Sequence, residues 1–235
     1  MDVRGAVFDV FGTVVDWRSS LIALCGRFGE RRGLSADWTG LIDAWRGAYA
    51  PSMDRVRRGE VPWHDLDALH RASLDDLVPR FALSGLSAEE RSELVGMWHR
   101  LDPWPDSVAG LTRLRTKMLI ATLSNGNVSL LADMAKHGGL PWDVILSAEL
   151  VHQYKPDPET YGLAIEVLGG GRPERVLMAA AHNNDLKHAK AAGMRTAFIA
   201  RPNEHGPGQS RDLKAEPFVD IAVSSIEELA AVFGA

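Results

Sequence analysis

Residues 7–13 read VFDVFGT. Val7, Phe8, Val10 and Phe11 are apolar, and Asp9 stands among them where a buried strand has no use for a carboxylate. An unpaired ion in such a place is costly, so the acid needs a partner or a task. Gly12-Thr13 then breaks the run. The stretch reads as the first strand of a sheet with a functional acid at its end.

Five more apolar runs share this texture. With the first, the strand expectations are 6–10, 119–124, 143–147, 176–181, 196–200 and 220–224. Most are rich in Val, Ile and Ala, and none alternates cleanly with polar residues, the pattern of strands buried on both faces in a parallel sheet. Helical stretches separate several of them. Residues 106–117 space Val108, Leu111 and Leu114 at helical intervals, and 127–137 carry Leu130, Leu131 and Met134. In 157–168, Asp157 reads as an N-cap with Pro158 in the first turn. Strand then helix, repeated, predicts an α/β fold with a doubly wound parallel sheet.

Residues 17–100 differ. They lack a convincing strand and read as helices over 19–32, 36–57, 63–80 and 87–100, with Ser87 and Glu90 as a capping box for the last. Trp38, Trp45, Trp63 and Trp98 are expected to pack this unit. The expected division is a Rossmann-like core, 1–16 and 101–235, with a helical cap, 17–100. Inserted directly after the first strand, the cap should sit over the carboxyl ends of the strands, where open α/β sheets bind ligands. The Gly/Pro-rich polar loop 201–217 is expected to be exposed.

The 235 residues suit one large domain or a core plus an insert. A net charge of −5 without basic clusters points away from nucleic acid and anionic membranes. The lone Cys25 excludes an internal disulfide and fits a reducing compartment. No apolar run approaches a membrane span, and the chain enters a strand too soon for a signal peptide. A cytoplasmic protein is expected.

Polar groups recur where the apolar runs stop: Asp9 with Gly12-Thr13, LSNGN at 123–127, YKPDPETY at 154–161 and AAHNNDLKHA at 180–189. Each alone has a bland reading as a turn, a helix start or a surface cap. In this order the set resembles the haloacid dehalogenase superfamily from end to end. Most of that superfamily are phosphatases with a second acid two residues after the nucleophile; here that place is Phe11, which matches the (S)-2-haloacid dehalogenase branch. The second acid protonates a leaving group, and Mg²⁺ offsets phosphate charge. Halide leaves carbon as a stable anion and needs neither.

The resemblance implies hydrolysis of short 2-haloalkanoic acids through an ester on Asp9, with no cofactor, no metal and a homodimer among the expected assemblies. It implies Lys155 as the cation beside Asp9, and Asp185 as its partner and the orienter of water. Phe11, Thr13, Ser124, Asn125 and Tyr161 are expected on the substrate, and Arg46 with Asn125 on the halide. Arg55, Arg57 and Arg58 are alternatives to Arg46. Where better-known relatives carry serine and asparagine, this chain has Ala180 and His182. His182 is open to three readings: a base for water, a donor to halide that would favour small haloacetates including fluoroacetate, or a structural residue. The rival functions are a Mg²⁺-dependent phosphatase and a non-catalytic protein on the same scaffold.

Overall fold

The computed structural model describes residues 2–235. Six strands form one sheet: β1 (Gly5–Phe8), β2 (Leu119–Ser124), β3 (Val144–Ser147), β4 (Val176–Ala180), β5 (Arg195–Ile199) and β6 (Ile221–Val223). Their order is β3-β2-β1-β4-β5-β6, and every pair is parallel. All six fall within or beside the predicted runs. The chain moves outward from β1 to β3, then returns to β4 on the other side, so the order reverses between β1 and β4. Such a reversal opens a crevice at the carboxyl ends of the two strands.

Between β1 and β2 come α1 (Trp17–Arg32), α2 (Trp38–Arg57), α3 (Leu66–Leu77), α4 (Ala88–Val95) and α5 (Ser107–Arg115). The later helices are α6 (Val128–Gly138), α7 (Pro158–Ala164), α8 (Asn183–Ala191) and α9 (Ile226–Val232). Neighbouring residues of β1 serve opposite faces. Ala6 and Phe8 join a core with Leu111 and Leu114 of α5, Met134 of α6 and Leu229 of α9. Val7 joins another with Tyr161 of α7 and Leu186 of α8. Burial on both faces is why the strands show no alternation.

In the helical insert, the Ser87–Glu90 capping box opens α4. Trp45 and Trp98 are buried edge to face at 5.5 Å. Trp63 behaves differently: it lies against His152 and Tyr154 at centroid distances of 5.1 and 4.7 Å, tying the insert to the core.

Two local expectations need correction. Asp157 stands at the N-cap position of α7, but its side chain makes no cap; it accepts from Arg57 of α2 at 2.7 Å. A charged guanidinium outcompetes a backbone N–H for the carboxylate. The 201–217 loop is not uniformly exposed, because Arg201 and Glu204 are buried. Arg201 makes a bidentate pair with Asp106 (2.8 and 2.9 Å) and donates to the Thr13 carbonyl (2.9 Å), which offsets its desolvation.

Candidate active site

The site begins one residue past β1. The Asp9 N–H donates to the Ala179 carbonyl of β4 at 3.0 Å, and the chain then turns at Gly12 with φ +85°. Thr13 Oγ1 donates to Asp9 Oδ2 (2.8 Å) and accepts from the Ala181 N–H (2.9 Å), locking the β1 and β4 ends together. The segment before α7 supplies Lys155. Its Nζ donates to Asp9 Oδ1 at 3.0 Å and to Asp185 Oδ2 at 2.5 Å. Asp185, in the first turn of α8, also accepts from the Tyr161 hydroxyl at 2.7 Å.

His182 caps this arrangement from the β4–α8 turn. Its Nδ1 lies 3.1 Å from Asp9 Oδ2 and its Nε2 lies 2.9 Å from Glu204 Oε2. Ionised carboxylates only accept, so both ring nitrogens donate and His182 is an imidazolium. Burial works against that charge, but Glu204 first and then Asp9 prevail, and the His182 pKa is pushed up to about 10. Burial would raise the Asp9 carboxyl; Lys155 and His182 reverse this and hold it far below the ordinary carboxylate range. Lys155 is pushed up, since Asp185 and Asp9 outweigh its own desolvation.

A cavity of about 150 Å³ opens on these groups. Asp9, Lys155, Asp185 and His182 line it, with Phe11, Asn125, Tyr161 and Arg46. Asn125 Oδ1 accepts from the Lys155 N–H (2.8 Å), which leaves its NH₂ as the remaining donor. Phe11 packs edge-on against Trp98 and Tyr49 while facing the cavity, so it fills both the packing and the lining role. Arg46 reaches in from α2 with its guanidinium 4.2 Å from the Tyr49 ring centroid and 5.3 Å from that of Trp17. Its Nη1 is buried without a hydrogen-bond partner among the described residues. The alternatives sit elsewhere: Arg55 and Arg58 pair with Glu60, and Arg57 with Asp54 and Asp157.

Thr13 and Ser124 are fully buried and do not line the cavity. Thr13 is committed to Asp9 and Ala181, and Ser124 Oγ accepts from the Gly126 N–H at 3.2 Å. His182 also departs from two of its expected readings. With both N–H groups held by carboxylates, it has no lone pair for a water proton and no N–H left over for a halide.

Glu204 went unnoticed in the sequence. It is 1% exposed, accepts from Trp17 Nε1 at 3.1 Å, and packs on the Gly12 turn. A Cβ at Gly12 would fall 2.1 Å from Glu204 Oε1, and the positive φ independently disfavours a side chain. Gly12→Ala is therefore expected to cost about 2–4 kcal/mol of stability and most of the activity. Urea unfolding beside a turnover assay checks this; wild-type stability with wild-type turnover would show that Glu204 is free to move.

The family model described as haloacid dehalogenase-like hydrolase matches residues 3–193. An (S)-2-haloacid dehalogenase of Xanthobacter autotrophicus is 30% identical over 210 residues, covering 85% of this chain and 76% of the relative. A haloacetate dehalogenase of Moraxella sp. is 32% identical, covering 85% and 86%. A solved L-2-haloacid dehalogenase superposes with a TM-score of 0.95 at 48% identity, covering 99% of each chain. A solved defluorinating L-2-haloacid dehalogenase gives 0.94 at 45% identity, covering 99% and 96%.

Proposed function

Since this chain belongs to the haloacid dehalogenase-like hydrolase family, we propose that its cavity hydrolyses the carbon–halogen bond of short 2-haloacids through an ester on Asp9. Haloacetates and L-2-halopropionate are the expected substrates, and 2-hydroxy acids the products. The observation that carries this reading is the setting of Asp9: an ionised carboxylate on the cavity wall, with Phe11 where phosphatase relatives place an acid.

The chemistry follows from the contacts. An Asp9 oxygen forms a bond to C2 as the carbon–halogen pair leaves with the halide. Arg46 and Asn125 receive the halide: Arg46 Nη1 has no other hydrogen-bond partner among the described residues, and Asn125, whose Oδ1 serves the Lys155 N–H, contributes its NH₂. Water then adds to Asp9 Cγ while Asp185 takes one of its protons. The alkoxide departs, recovers that proton from Asp185, and leaves as the hydroxy acid. Asp9 now carries the water oxygen and loses its remaining proton to solvent. His182 takes no proton in this scheme.

Electrostatics admit the substrate anion. Lys155, His182 and Arg46 balance Asp9, Asp185 and Glu204 around the cavity, so an acid enters a site of no net charge. The cavity is small, about 150 Å³, which favours short acids. The helical insert acts as the cap that closes this space. No helix among the described residues is long and apolar enough to cross a membrane. A cytoplasmic setting and a homodimer belong to the same reading.

Halide release is to be measured from chloroacetate, bromoacetate, fluoroacetate and both 2-chloropropionate enantiomers, with and without EDTA. Release is expected from the haloacetates and the L-enantiomer, unchanged by EDTA, because the halide needs no Lewis acid to depart. Activity lost to EDTA and restored by Mg²⁺, together with p-nitrophenyl phosphate hydrolysis, would return the chain to the phosphatases.

A further inference from the structure

We propose that Glu204 is a positioning residue for ester hydrolysis: by holding His182 Nε2, it keeps His182 Nδ1–H beside the Thr13 hydroxyl as a two-donor cradle for Asp9 Oδ2. This rests on the aspartyl-ester reading above.

The two Asp9 oxygens are not equivalent. Oδ2 accepts from Thr13 at 2.8 Å and from His182 at 3.1 Å, whereas Oδ1 accepts from Lys155 alone at 3.0 Å. The less engaged oxygen keeps the freer lone pair, so Oδ1 attacks C2 and Oδ2 remains as the ester carbonyl. When water bonds to Cγ, the carbonyl electron pair moves onto Oδ2. The collapse that follows restores that double bond and breaks Cγ–Oδ1, releasing the alkoxide, which takes the proton held by Asp185. Two donors already at hydrogen-bond distance stabilise the transient charge without reorganisation.

Glu204 is what makes the His182 donor dependable. His182 sits at the N-cap position of α8 and makes no capping bond of its own. Glu204 comes from the β5–β6 loop and is itself fixed by Trp17 Nε1 (3.1 Å) and by contact with Gly12. Two anions face His182: Asp9 on Nδ1 and Glu204 on Nε2. Esterification removes the Asp9 charge, and only Glu204 then sustains the imidazolium. Beyond His182, Glu204 faces His205 at 3.6 Å and the positive field of Arg46. The raised His182 pKa, with Glu204 as its strongest attraction, agrees with this geometry.

The test is rapid-quench kinetics on Glu204→Gln with chloroacetate, following the halide burst, hydroxy-acid release and covalent adduct on the protein. The expected result is a burst rate within about 3-fold of wild type and hydroxy-acid release slowed about 10²-fold, the scale of a lost oxyanion donor. The ester should accumulate as a mass adduct. Imidazolium is the active form, so wild-type ester hydrolysis should fall on the alkaline side, at a pH below the value of about 10 that His182 has beside an ionised Asp9, because the ester has lost that charge. In Glu204→Gln that alkaline limb should move down by at least about one pH unit. Glu204→Asp, which keeps the charge with shorter reach, should leave the limb near its wild-type position and accumulate less ester. Equal losses in both half-reactions, or an unmoved alkaline limb in Glu204→Gln, would overturn the assignment. If Glu204→Gln fails to fold, equal losses in Glu204→Asp overturn it instead. Label from ¹⁸O-water in the first glycolate released by the wild type, with Asp9 unlabelled, would refute the ester reading, a separate outcome.

Discussion

Asp9→Asn is expected to lower halide release by about 10⁴-fold or more, the scale of losing a covalent nucleophile. The amide is nearly the same size, so the surrounding contacts remain, but its oxygen carries no formal charge for displacement at carbon. In the wild type, Lys155 and His182 keep Asp9 ionised despite burial. The same two cations would face a neutral amide in the variant, and its NH₂ would present donors to one of them. Some loss of stability is therefore expected beside the loss of activity. Halide release under saturating bromoacetate checks the rate, and urea unfolding checks that the protein is folded. A folded Asp9→Asn protein retaining even a tenth of wild-type turnover would remove Asp9 from the chemistry.

Lys155→Met is expected to be the next most damaging change. Lys155 Nζ bridges Asp9 and Asp185 in a site where its own side chain is 8% exposed. Removing it leaves two carboxylates facing each other with His182 as the remaining direct cation on Asp9. Deleting one partner of a buried ion pair costs about 3–5 kcal/mol. Two effects on pH follow. A carboxyl depressed by folding stabilises the native state above its unfolded pKa, and that contribution fades as pH falls toward the folded value. In the wild type the Asp9 contribution should thus be whole at neutral pH and fade progressively from about pH 4 downward, while in the variant part of it is missing already at neutral pH. Its turnover should also show an acidic limb shifted upward, because burial now opposes ionisation with less resistance. Urea unfolding at several pH values and a pH–rate profile for bromoacetate measure both. An unchanged acidic limb would mean that Lys155 does not set the charge of Asp9.

The sheet was legible because parallel strands covered on both faces must be apolar throughout, and helices between them must carry a stripe. Asp9 was legible for the complementary reason: a charge in such a run stands out. Arg46 owed its reading to the family resemblance, and the fold separates it from its neighbours physically, since Arg55, Arg57 and Arg58 find surface carboxylates. Glu204 was not legible. One glutamate in a polar loop looks solvated, and its partners lie 22 and 187 residues away, at His182 and Trp17. No local pattern encodes that meeting. The same gap explains His182: its strand-end position was readable, but whether an imidazole accepts or donates depends on both neighbours across space. Asp157 shows the reverse case. Its helix-start position was readable, while its side chain went to Arg57, a partner 100 residues distant.

The most direct measurement of the central claim is a single turnover in ¹⁸O-water with enzyme in excess over chloroacetate. Hydrolysis of an Asp9 ester puts the water oxygen on the enzyme, so mass spectrometry should find ¹⁸O in the peptide carrying Asp9 and none in the first glycolate released. Label in that glycolate, with Asp9 unlabelled, would mean that water attacks C2 directly and that no ester forms.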